Sequence, residues 1–277
     1  MSKRLAIPFA ALALVVSAQF APASAATLAE VVKGSQRTPE YATRDVYRHP
    51  VETLEFFGVK PDMTVVEIWP GSGWYSEILA PYLRDHGTYY AATPAASLPD
   101  ASQGTKNAVA ALHTKFDAAP TVYDKVKFSE FRPPLRTEIA PAGTADVVLT
   151  FRNVHNWIVG GYEQEAFNTF FKALKPGGVL GVVEHRAPDS IDLAGTKKSG
   201  YTSAAYVKTL AQNAGFEFAG ESHVNDNPKD TKDYAEGVWT LPPTLFLKDV
   251  DREKYLAIGE SDRMTLKFVK PKATKKK

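Results

Sequence analysis

The chain has 277 residues and a formal net charge of +2, from 33 Lys and Arg against 31 Asp and Glu. That balance gives no reason to expect a nucleic-acid partner, and 44% hydrophobic with 23% charged residues excludes wholesale disorder and a multi-span membrane protein. No cysteine is present, which removes disulfides, iron–sulfur clusters, Cys-based zinc sites and a Cys nucleophile together.

The first segment runs Lys3-Arg4, then apolar from Leu5 to Val16, then Ala23-Ser24-Ala25, which is the order of a secretory signal peptide. The apolar run is too short to span a bilayer as a helix. The expectation is therefore export to the periplasm or beyond, with cleavage near Ala25, leaving one domain over 26–270 and a basic tail over 271–277. The Lys-rich end, counted from Lys270, is suited to a weak contact with an anionic membrane surface.

Within the domain, segments of two periods alternate. Pro50 suits a first helical position, Leu54 and Phe57 are three apart, and Gly58 is a stop signal. Met63 to Ile68 is an apolar, β-branched run suited to a buried parallel strand. After the turn Pro70-Gly71-Ser72-Gly73, Ile78, Leu79, Tyr82 and Leu83 fall at helical spacing, with Pro81 expected to kink or shorten the helix. A strand at 88–92, a helix at 106–116 and a strand at 122–128 follow. Ala145 to Phe151 reads as a central strand, and Phe167, Phe170, Phe171 and Leu174 as the apolar face of a helix closed by Lys175-Pro176-Gly177-Gly178. Val179 to Glu184 is a strand; Val207, Leu210, Ala211 and Ala214 give a helix; an alternating strand starts at Phe216; Met264 to Val269 is the last. The aperiodic stretch Ser222 to Arg263 is expected to cover a site, with Asp262-Arg263 as an anchoring ion pair. This alternation predicts an α/β, Rossmann-like, doubly wound sheet, whose ligands bind at the carboxyl ends of the strands.

The glycine turn after the first strand lets a backbone approach a ligand closely. It is a poor dinucleotide fingerprint, since Gly71-Ser72-Gly73-Trp74-Tyr75-Ser76 ends in Ser and Tyr89 to Thr93 closes without an acid, so a nicotinamide oxidoreductase is the least favoured reading. With Glu67 before the turn, the Leu174 to Val179 turn, and Asn153-Val154-His155-Asn156-Trp157 after the fourth strand, the sequence resembles the class I S-adenosylmethionine-dependent methyltransferases, and within them an exported bacterial group of predicted methyltransferases. The resemblance spans roughly Val51 to Lys270. It implies a mostly parallel seven-stranded sheet with a final antiparallel strand, S-adenosylmethionine as cofactor, and Glu67, Gly71, Gly73 and Asn153 around it. Two positions depart from the family pattern: Trp69 replaces a glycine, and no acid ends the second strand. Glu130 is an alternative contact on the adenine side.

From the residues themselves, His155 is the candidate general base for a small-molecule nucleophile, because an imidazole exchanges protons near neutral pH. Trp157 and His185 are candidate substrate contacts. Trp69, Trp74, Tyr75 and Trp157 form a candidate aromatic wall, and Arg44, Asp45, Arg48 and His49 are candidates for a segment folded over the cofactor. A metal at His155, Glu184 and His185 has suitable ligand types but no supporting local spacing, so no metal is expected. The alternative to an enzyme is an exported binding protein that kept the fold and lost the transfer.

Overall fold

The computed structural model describes residues 25–272. The expected signal peptide, apart from Ala25, and most of the basic tail lie outside the described residues. Among the described residues no helix is long and apolar enough to cross a membrane.

Four short helices precede the sheet: α1 (Leu28–Val32), α2 (Pro39–Ala42), α3 (Asp45–Arg48) and α4 (Pro50–Phe57), the last ended by Gly58 at φ 79°. Then come β1 (Thr64–Ile68), α5 (Ser76–Leu83), β2 (Thr88–Pro94), α6 (Gln103–Asp117), α7 (Pro120–Tyr123), β3 (Lys127–Phe131) and β4 (Ala145–Phe151). The second half supplies α8 (Val154–Gly160), α9 (Glu163–Ala173), β5 (Leu174–Ala187), α10 (Leu193–Ser199), β6 (Thr202–Ser203), α11 (Ala204–Asn213), β7 (Glu217–Ser222), α12 (Arg252–Ile258) and β8 (Arg263–Val269).

The sheet runs β3-β2-β1-β4-β5-β8-β7, with the two-residue β6 paired to β5 outside that path. Neighbours from β3 to β5 are parallel, while β8 is antiparallel to both β5 and β7. The doubly wound sheet with its antiparallel last strand is therefore as expected. Strand order reverses between β1 and β4, where Val66 pairs with Tyr90 on one side and Val148 on the other. A crevice opens at that point in such sheets.

Alternation along β1 sends Val66 and Ile68 to the face covered by α8, α9 and α11, with Trp157, Phe167, Phe170 and Val207. Val65 goes to the opposite face, packed by Leu54, Phe57, Ile78 and Leu112 of α4, α5 and α6. Both layers are apolar and together form the core.

Pro81 does lie inside α5, yet that helix keeps eight residues. Proline removes the hydrogen bond that the carbonyl four residues earlier, Glu77, would receive. Gln36 Nε2 donates to that carbonyl at 3.2 Å instead, so a residue ahead of the domain's first strand repairs the break.

Two expectations are corrected. The strand predicted at 122–128 is a helical turn, α7, followed by β3 from Lys127: Pro120 sits at the first helical position, and extended chain begins only after it. Asp262 and Arg263 do not pair with each other. Consecutive residues entering a strand point to opposite faces, so Arg263 turns inward to Glu260, while Asp262 meets Lys232 at 2.9 Å.

Candidate functional site

The crevice holds about 320 Å³ and is lined by the β1 turn, the β4 end, the helices before β1, and the segment between α11 and β8. Each side chain reaches it for a local reason. After β1 the chain turns sharply through Trp69 (φ 50°), Gly71 (φ 59°) and Gly73 (φ 86°). A Cβ on Gly71 would meet nothing within 4 Å, so that glycine faces open space at the crevice. Gly73 does not line the crevice: a Cβ there would lie 3.1 Å from Leu112 Cδ1, and its role is close packing on α6.

Glu67 lines the floor but is already engaged. Its carboxylate accepts from Tyr89 Oη at 2.5 Å and Ser76 Oγ at 3.2 Å, and burial raises its pKa to about 7 against the pull of those two bonds. Asn153 lines the crevice, but its amide donates to Ile68 O at 2.9 Å and Thr150 Oγ1 at 3.2 Å, stapling the ends of β1 and β4.

His155, the second residue of α8, is buried and faces the crevice. Glu184 of β5, fully buried, lies 3.1 Å from His155 Nδ1 and accepts from the backbone N–H of His155 at 3.3 Å and of His185 at 2.8 Å. A carboxylate on Nδ1 selects the tautomer with its proton there and leaves Nε2 as an acceptor. Glu184 thus fixes the orientation of the His155 ring. His185 also lines the crevice, with Nδ1 2.5 Å from Ser261 Oγ; burial, then His155 and three nearby guanidiniums, hold its pKa well below the usual imidazole value, so it is neutral at pH 7.

His155, Glu184 and His185 place possible ligand atoms within 4.8 Å of one another. A cation there would sit in a cavity also lined by Arg44, Arg48, Arg152 and Arg263, whose positive charges oppose it. Those charges make an acid–base pair the better description.

The two histidines, Glu67, Gly71 and Asn153 thus line one cavity, while Gly73 and Trp157 do not. Trp157 is fully buried, edge-on to Trp69 and Phe131, and lies two residues from His155, a spacing that puts side chains on different sides of a helix. It is core rather than a substrate contact. Glu130 is also outside the crevice, held by Ser97 and Arg136. Of the expected aromatic wall, Trp69, Trp74 and Tyr75 line the cavity. The long segment supplies Val238, Trp239, Pro242, Pro243 and Thr244 as its cover.

Trp69 also lines a second cavity, of about 210 Å³, with Asp100, Ser102, Arg132 and Tyr162. Its indole N–H donates to Phe131 O at 3.0 Å, which holds the ring between the two spaces. Asp100, bound to Arg132 at 2.7 and 2.8 Å, is an acid beyond the end of β2 that inspection of the strand end missed.

The sheet order, the glycine turn at the switch point and the antiparallel last strand settle the architecture. The fold is that of the class I methyltransferases. A methyltransferase from Aquifex aeolicus described as S-adenosylmethionine-dependent superposes with a TM-score of 0.53 at 15% identity, over 88% of this chain and 98% of its own. The [4+2]-cyclase SpnF superposes equally well, at 0.53 and 17% identity over 82% of this chain and 81% of that one. No protein-family model matches the sequence, and no curated protein does. The methyltransferase fold is thus established by architecture, and the activity has to be argued from the crevice.

Proposed function

We propose that the protein is an S-adenosylmethionine-dependent methyltransferase acting on a small-molecule nucleophile, with His155 as general base. The observation that carries this reading is the His155–Glu184 pair at a switch-point crevice that Gly71 of the glycine turn also lines.

The residues around the turn offer a seat for both ends of the cofactor. Gly71 leaves open space for its amino-acid end, beside Glu67. The second cavity offers Asp100 and Ser102 as hydroxyl partners and the ring of Tyr162 as a flat neighbour. Bound there, the cofactor would supply a methyl carbon made electrophilic by its sulfonium. The chain's own work is to hold a hydroxyl against His155 Nε2, take its proton there, and stabilise the imidazolium through Glu184. Trp239, Pro242 and Pro243 line the same crevice and give it apolar surface beside that proton transfer.

Trp69 favours a second reading, an exported binding protein. Its indole stands where the two halves of the cofactor seat would join. Calorimetric titration with S-adenosylmethionine and S-adenosylhomocysteine separates the two: binding supports the enzyme, and no heat at millimolar ligand overturns it. In an active preparation, His155→Gln should lower kcat by about 100-fold or more with little change in KM. The N-terminal segment supports export, and a periplasm-dependent reporter fused after Ala25 should be active; silence of that reporter would overturn the placement.

A further inference from the structure

Arg44, Arg48, Arg152 and Arg263 all line the crevice. They come from α3, the β4 end and the start of β8, and Arg48 and Arg263 are 3% and 2% exposed. One carboxylate serves three of them: Glu260 accepts from Arg44 Nε at 2.5 Å, from Arg48 Nε at 3.3 Å and from Arg263 Nη2. Arg152 has no side-chain hydrogen bond or ion pair to any described residue, and its left-handed backbone (φ 62°) is fixed by a 2.7 Å bond from its N–H to Val183 O. Arg44 Nη2, Arg48 Nη2 and Arg263 Nε are buried donors without a partner. Buried guanidinium nitrogens left unpaired are costly, and four like charges around one carboxylate repel. The other acids at the crevice do not restore the balance, because Glu184 is committed to His155 and Glu67 to Tyr89 and Ser76.

We infer that this cluster is an oxyanion site, and that the molecule the crevice acts on is a small acid, carboxylate or phosphate, whose charged group sits among the four arginines while its body reaches toward His155. The inference rests on the reading above for the location of the site. It does not rest on the cofactor, which could not supply the missing charge: S-adenosylmethionine carries one carboxylate against an ammonium and a sulfonium, so it brings a further positive charge into the crevice. Guanidinium forks match planar carboxylates and phosphate oxygens in two-bond geometry, which gives an acid specific as well as electrostatic recognition. Trp74 and Tyr75 beside the cluster give the body of the ligand an aromatic surface, and Arg48 is itself held over the Trp74 ring at 4.6 Å.

The test uses the full-length protein and four probes in calorimetry: inorganic phosphate, benzoate, its neutral counterpart benzamide, and S-adenosylhomocysteine. At least one of phosphate and benzoate should bind, and which one does distinguishes the two acid classes; benzamide should not bind. Arg152→Gln should weaken that anion about ten-fold or more, because a hydrogen-bonded charge is lost. Arg152 has no ion pair to lose, so the variant should melt no lower than the parent; Arg84→Gln, at a surface pair with Asp124, controls for general charge. The inference is overturned by silence with both anions, by benzamide binding as well as benzoate, or by unchanged affinity in Arg152→Gln. Competitive displacement of the anion by S-adenosylhomocysteine would also overturn it, by showing that the cluster serves the cofactor's carboxylate. Anion binding with no S-adenosylhomocysteine binding leaves the inference standing and removes the methyltransferase reading instead.

Discussion

Two buried ionic clusters flank the glycine turn, one around Glu77 and one around Glu260, and they differ in whether the protein completes them. Glu77 accepts from Arg37 Nε at 3.3 Å, from Thr38 N at 2.9 Å and Oγ1, and from Lys115 Nζ at 2.6 Å, while Arg37 turns its other nitrogens to Asp45 and Val32 O. Two cations meet two anions, and no nitrogen of Arg37 or Lys115 is left buried without a partner. Around Glu260, one anion meets three bonded arginines and a fourth stands unbonded nearby. The first cluster has the form of structure alone: it fastens the segment before α3 onto α5. The second has the form of a site, because its electrostatics are finished only by something from outside.

The largest expected effect tests that difference directly. Glu77→Gln and Glu260→Gln each remove the carboxylate from a buried cluster and should each cost about 3–5 kcal/mol in urea unfolding. Whichever of phosphate and benzoate the parent binds should, when added, restore much of the loss in Glu260→Gln, since an anion bound only by the folded state stabilises it by mass action. It should restore none in Glu77→Gln. Equal rescue, or rescue of neither, would erase the distinction between the clusters.

Acid and base titration sharpen it further. Glu260 is held at about 2 by the arginines around it despite its burial, below the unfolded value of 4.5. Its contribution is therefore full above about pH 4.5 and lost as pH falls toward 2. Glu67, which has hydroxyls but no cation bonded to it, is raised to about 7 by burial. The folded state then holds a proton that the unfolded state releases, so stability should fall as pH rises from about 4.5 to 7 and stay level above it, by about 3 kcal/mol in all. Glu67→Gln should remove that slope while leaving the loss below pH 4.5, as read by urea midpoints across the range. A slope that persists in the variant would assign it to another group.

How much of this was legible in the sequence follows from how local each cause is. β1, β4, β8 and the helix around Phe167 and Phe170 came from period and branching, which sequence displays directly. A switch-point crevice was expected from the alternation of strands and helices, and His155 was singled out by its place after the fourth strand and the proton chemistry of an imidazole. The arginine cluster did not, because Arg44 and Arg48 reach Glu260 across 216 and 212 residues. In the sequence Arg44 and Arg48 read as part of a segment folded over the cofactor, and only the fold reveals that they converge with Arg152 and Arg263. Glu77 gives no local signal for the same reason: its partners lie 38 to 40 residues away.

The smallest effect separates the clusters at a single residue each. Arg37 is bonded to two carboxylates and its cluster is balanced, so Arg37→Gln should destabilise the protein, by about 3 kcal/mol. Arg152 is an unbonded charge: burial and the repulsion of Arg263, against the partial pull of Glu260, lower even its guanidinium to about 10. It remains charged at neutral pH, with no carboxylate bonded to it to offset the cost of burial. Arg152→Gln should therefore leave stability unchanged or raise it by about 1 kcal/mol without ligand, and lower it relative to the parent once saturating anion is added. That reversal of sign is the decisive reading, because a residue kept for packing would lose stability in both conditions, whereas one kept for a ligand costs stability until the ligand arrives.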